Sequence, residues 1–109
     1  MQFGLLKPTR HTPKTIGVTG PGQPFEAGGN MTVYANPGDS ERTEILLPFA
    51  KRVMGQTVRV VLISNESGAD AHIMTRNAET INGAATQSIS QYLTCMCFES
   101  DGDNWWVTG

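Results

Sequence analysis

Apolar side chains in this chain recur at every second position, in short runs closed by turn residues, and this periodicity constrains the fold more than any other feature. The clearest run is Gln56 to Ser64, where Val58, Val60 and Leu62 fall on one side and Arg59, Val61 and Ile63 on the other. A period of two belongs to an extended strand, whose successive side chains point to opposite faces. Met31, Val33 and Ala35 alternate with Thr32 and Tyr34 in the same way. Asn36-Pro37-Gly38-Asp39 then makes a turn, because proline fixes φ and glycine accepts positive φ. Further strands are predicted over 43–47 (stopped by Pro48), 71–76 (after a loop at 65–70), 87–90, 92–98 and 105–107. Asn82-Gly83 and Ser100–Asn104 are turns, the second joining the last two strands as a hairpin. Only 49–55 reads as a short helix or turn. About eight short strands at turn-punctuated spacing predict an all-β chain, folded as a jelly-roll-like β-sandwich.

Composition excludes several functions. With 109 residues the chain is one domain of modest core, and its net charge of -2 supplies no broad positive field for nucleic acid or anionic membrane. No apolar run approaches the ~18 residues of a transmembrane helix, and no secretory signal pattern opens the chain. No G-x-S-x-G, H-E-x-x-H or phosphate-binding glycine loop occurs, so no catalytic or cofactor residues are assigned. Cys95 and Cys97 are too close in a strand for an unstrained disulfide and lack zinc-ligand companions. They read as reduced thiols serving as small core hydrophobes, with a redox pair as the sharper alternative. Reduced thiols suit assembly in a cytoplasm.

Residues 1–30 differ from the rest. They hold four of the six prolines, six of the twelve glycines and a charge of +2 from Lys7, Arg10, Lys14 and Glu26, against -4 for the remainder. Their apolar residues are scattered, so no core forms from them alone. They read as a floppy tail or, preferably, as an extended arm lying on a neighbour, with a sandwich domain at 31–109. Phe3, Leu5, Leu6, Lys7, Arg10 and Lys14 are the contact residues of such an arm.

Four pieces of the sequence, in order, carry a resemblance: Val58-Arg59-Val60-Val61-Leu62-Ile63, Glu79-Thr80-Ile81-Asn82-Gly83-Ala84-Ala85, Tyr92-Leu93-Thr94, and Ser100-Asp101-Gly102-Asp103-Asn104-Trp105-Trp106-Val107. Together they resemble a module of tailed-bacteriophage structural proteins found in head-decoration, head-fibre and tail-fibre proteins. The resemblance covers residues 31–109. It departs from the family pattern at Trp106, where tyrosine is commoner, and at Cys95-Met96-Cys97. It implies a β-rich, commonly trimeric, non-enzymatic protein of the virion, made in the host cytoplasm. The short chain suits a head-decoration (cement) protein bound to the major capsid protein better than a fibre with shaft and tip. A carbohydrate- or receptor-binding module of a fibre or spike, with a host glycan as partner, is the alternative.

The residues independently favour association. The runs 56–64 and 92–98 are apolar on both faces, and a chain this size buries only about 65% of its unfolded surface. One face fills the core and the other wants a partner. Val61, Ile63, Phe98 and Trp106 are the expected oligomer interface. Trp105 and Trp106 point to opposite faces, one inward, the other an interface anchor or a sugar-stacking platform. His72 reads as an ordinary strand histidine, Glu41 and Glu44 as solvated, and Asp101-Asp103-Asn104 as a plain turn, because the glycine and distal glutamate of a calcium loop are missing.

Overall fold

The structure, a computed structural model, describes residues 10–109. Its elements are β1 (Thr12–Ile16), β2 (Phe25–Glu26), β3 (Met31–Ala35), β4 (Arg42–Leu46), a 3₁₀ turn (Ala50–Val53), β5 (Thr57–Leu62), β6 (Asp70–Met74), β7 (Thr86–Ile89), β8 (Cys95–Ser100) and β9 (Trp105–Val107). The first sheet has the order β1-β3-β5-β8-β9 and the second the order β2-β4-β6-β7. The first six strands alternate between the two sheets, and each stacks in parallel on the strand two places earlier. Thr12, Met31 and Val58 lie side by side in the first sheet, as do Phe25, Ile45 and Ile73 in the second. The chain therefore winds as three flattened coils. Antiparallel β7, β8 and β9 close the last coil.

The chain is nearly all β and packs as two facing sheets, as the alternation predicts. Its pairing is not that of a jelly roll, whose Greek keys are antiparallel. Four of the seven strand pairs among the described residues are parallel. A period of two specifies which face a side chain takes and says nothing about the direction of the neighbouring strand. Each parallel pair is linked through a strand of the opposite sheet, which supplies the long crossover that parallel pairing needs.

Residues 12–30 are built into the sandwich, which corrects the boundary drawn at residue 30. β1 pairs with β3 over its whole length, β2 extends the second sheet, and Ala27 is buried in the core with Ile16 and Phe25 packed against it. Among the described residues β1 is an edge strand, exposed along most of its length, so it shows no apolar alternation. Backbone hydrogen bonds hold it instead. Thr12 N–H donates to the Asn30 carbonyl and Asn36 N–H to the Ile16 carbonyl. The even-numbered residues of β1 thus face β3, and Pro13 faces the open edge, where its missing N–H costs no ladder bond. Pro13 and Lys14 together blunt that edge against further strand pairing.

The inner faces meet in a core of Val33, Ala35, Val58, Val60, Leu62, Phe98 and Trp105 against Ile45, Leu47, Ala71, Ile73 and Ile89. Two buried hydroxyls are satisfied. Thr43 Oγ1 donates to the Gly17 carbonyl at 2.7 Å, and Ser100 Oγ donates to the Ala50 carbonyl at 2.6 Å while accepting Gly102 N–H. The turn at 79–85 is tied to the last hairpin. Asn104 Oδ1 accepts Thr80 N–H and Asn82 Oδ1 accepts Val107 N–H, both at 2.9 Å. Asn82 tolerates its φ of 50° because asparagine is among the residues that enter the left-handed region most easily.

Candidate interaction surface

The outer face of the first sheet is assembled by register. One row runs Pro13, Thr32, Arg59, Cys97; the next runs Thr15, Tyr34, Val61, Cys95; at the other end Thr57, Glu99 and Trp106 align. Strand alternation sends the partners of these residues, Val58, Val60 and Phe98, into the core. Ile63 continues the alternation one residue past β5, with its N–H donated to the Ala35 carbonyl at 2.8 Å. Val61, Ile63 and Tyr34 are half-buried, while Trp106 is 48% exposed. Arg59 stands between the Val61 row and the Trp106 row and is exposed.

Trp106 is held in place. Its indole N–H donates to Asp101 Oδ2 at 2.7 Å, while Asp101 Oδ1 accepts the Asp103 and Asn104 N–H groups at 2.8 Å. These donors, Asn104 first, hold the Asp101 carboxyl below the usual carboxylate range. The 100–104 turn therefore serves as a bracket for an outward-facing tryptophan. Glu99, Ser100, Asp101, Trp106 and Thr108 line a shallow cleft of about 120 Å³ beside it.

At the opposite end of β8, Tyr92 and Leu93 are 53% and 61% exposed. Leu93 has φ 63°, a left-handed conformation unusual for a bulky side chain. It is imposed by the join to β5: Leu93 N–H donates to the Leu62 carbonyl at 2.7 Å and Leu62 N–H to the Thr94 carbonyl. The fold thus holds a large apolar side chain in a strained backbone and turns it toward solvent. Sequence reasoning placed Leu93 in the β8 strand and missed it, because no local residue pattern marks this conformation.

Two expectations are corrected here. Phe98 is fully buried, beside Val58 and Val107 on the inner face, and cannot serve an interface. The cysteines are not core hydrophobes. Cys95 is exposed and Cys97 half-buried, both on the outer face as free thiols. β8 starts three residues later than the run 92–98 suggested, and Met96, Phe98 and Ser100 take its inner side, which leaves Cys95 and Cys97 on the outer one. Partial burial pushes the Cys95 thiol up, with Arg59 opposing. Of the residues expected on an arm, Arg10 and Lys14 are exposed at the β1 edge, and Phe3, Leu5, Leu6 and Lys7 lie outside the described residues.

Trp105, not Trp106, is the core tryptophan. His72 Nδ1 lies 3.1 Å from Ser88 Oγ on the outer face of the second sheet, and Glu44 is its neighbour in register. Glu44 is half-buried rather than solvated, with Oε1 lacking a protein partner among the described residues. Among the described residues no three His, Cys, Asp or Glu side chains gather as a metal site, and no helix is long and apolar enough to cross a membrane. No protein-family model matches the chain, and no curated protein matches it.

Proposed function

We propose that this chain is a non-enzymatic decoration (cement) protein of a tailed-phage head, which docks on the outer surface of the shell through the major capsid protein and resists separation of capsomers. In this reading it acts as a homotrimer, placed on the virion surface. Val61, Ile63 and Trp106, joined by Tyr92 and Leu93, form the contact between copies. The supporting observation is that the sandwich completes its core without these side chains and leaves Tyr92, Leu93 and Trp106 exposed. Association would cover them. Three copies acting together turn a modest contact into a firm one, because each bound copy raises the effective concentration of the next. The ordered likeness of the 58–63, 79–85, 92–94 and 100–107 segments to phage head and fibre modules supports the setting.

The test is binding to expanded, empty heads of the phage that encodes the chain. Co-sedimentation with the heads and a higher temperature of head disruption are expected. Soluble protein left in the supernatant, with unchanged heads, would contradict the proposal. A carbohydrate- or receptor-binding module of a fibre or spike is the second reading, favoured by one feature: a tryptophan fixed by Asp101 beside an acid-lined cleft is also a stacking platform. Retention on a glycan array without any head, abolished by Trp106→Ala, would decide for it.

A further inference from the structure

Where β4 and β6 run out at the same end of the second sheet, the chain brings together Phe49, Arg52 and Arg76. The Arg76 guanidinium carbon lies 5.0 Å from the centre of the Phe49 ring, and that of Arg52 lies 5.2 Å from it. Arg76 is positioned by its neighbours: Nε donates to the Leu47 carbonyl at 3.2 Å and Nη2 to Glu26 Oε1 at 2.7 Å, with 24% of the side chain exposed. A guanidinium has five N–H donors, and these two bonds leave the remainder without a protein acceptor among the described residues. Arg52 is exposed and has no ion pair among the described residues, and Lys51 beside it is exposed as well.

Two clefts flank the Phe49 ring. One, of about 170 Å³, is lined by Glu26, Pro48, Phe49, Arg52 and Arg76. The other, of about 280 Å³, is lined by Phe49, Lys51, Arg52 and Glu79. Two carboxylates are therefore present. Glu79 is occupied, since both its oxygens accept the Ala50 N–H, at 3.2 and 3.1 Å. Glu26 is 68% exposed and touches one nitrogen of Arg76. Both guanidiniums lie against the Phe49 ring, and among the described residues the N–H edges of Arg52 and the Nη1 edge of Arg76 have no protein acceptor. Those edges match a carboxylate, which a planar guanidinium grips with two parallel bonds.

We propose that Phe49, Arg52 and Arg76 form a clamp for carboxylate side chains of an acidic segment on a partner protein. Three clustered cations on a chain of net charge -2 suit a short acidic peptide better than a nucleic acid, whose phosphates call for a longer positive track. The clamp lies off the outer face of the first sheet, so it stands whether or not that face joins copies.

The probe is a fluorescein-labelled octaglutamate peptide, titrated with the full-length chain at low salt and followed by anisotropy. Amide shifts in a nitrogen-15 spectrum locate the contact. Saturable binding is expected, with shifts confined to 49–53, 76 and 26. Arg52→Gln and the charge-keeping Arg76→Lys should each weaken it about tenfold, the scale of one charge-assisted bidentate contact. Among the described residues the Arg52 side chain holds nothing but the Phe49 ring, so Arg52→Gln should keep the wild-type melting temperature and leave the test valid even if Arg76→Lys unfolds. No binding, equal binding by wild type and Arg52→Gln, or tighter binding of a DNA oligonucleotide of equal charge would each overturn the proposal.

Discussion

The Asp101 carboxylate accepts the indole N–H of Trp106 at 2.7 Å and so fixes the orientation of an aromatic side chain that the core does not use. An exposed tryptophan held in one orientation has already lost the freedom that binding would otherwise cost it.

That bracket has a pH dependence of defined sign. The Asp101 carboxyl is held below its ordinary range, near 3.9 in an unfolded chain, by the Asn104 and Asp103 N–H groups and the Trp106 indole. Its contribution is present above that value and is lost as pH falls through the lower, folded value. The indole proton resonance of Trp106 should stay constant down to about pH 4 and shift only below it. Asp101→Ala should shift that resonance at neutral pH and remove the acid transition.

The two adjacent tryptophans should behave oppositely. Trp105 is fully buried, and Trp105→Ala should cost roughly 3–5 kcal/mol or prevent folding. Trp106→Ala should change the stability of a single copy by less than about 0.5 kcal/mol, since the side chain is solvent-facing, while abolishing association. Chemical denaturation together with sedimentation separates the two effects.

Leu93 offers a sharper separation. Its left-handed backbone is strained by roughly 1 kcal/mol, which glycine relieves. Leu93→Gly should raise or preserve the unfolding temperature of a single copy and still weaken association. A gain in stability with unchanged association would show that Leu93 serves no contact.

Cys95 reports on the outer face of the first sheet. As an exposed thiol with a raised pKa, it should react with iodoacetamide at a rate still climbing above about pH 8.5, and more slowly once copies associate. The Cys95→Ser, Cys97→Ser double variant should retain full head binding.

Truncation tests the N-terminal segment. Deleting residues 1–25 removes β1 and Phe25, strips the ladder from β3 and should unfold the sandwich. Deleting residues 1–9 leaves every described strand in place and should leave the sandwich folded. If the 1–25 deletion folds normally, β1 and β2 are dispensable appendages.

The strands β3 to β7 and β9 are legible in the sequence to within about two residues, because each buries one face and therefore alternates. β1 is not, since an edge strand reading Thr-Pro-Lys-Thr-Ile gains its place from backbone bonds that leave no side-chain signature. The parallel pairing is equally silent, since it depends on which sheet each connection reaches. The sequence shows that Val61 and Ile63 oppose Val60 and Leu62, and Trp106 opposes Trp105, but which side faces in comes only from the burial of Val60, Leu62 and Trp105. Phe98 was not: its strand is apolar on both sides, and only the register with Val58 shows that it faces in. The Phe49–Arg52–Arg76 cluster joins residues far apart in sequence, and only the parallel stacking of β4 on β6 brings them together.

The most direct measurement is sedimentation velocity of the purified chain beside its Val61→Asp variant. A surface shaped to be covered predicts a species of three times the single-chain mass for the wild type and a folded single copy for the variant. A wild-type protein that remains a soluble single copy at high concentration, and shows no affinity for phage heads, would contradict it.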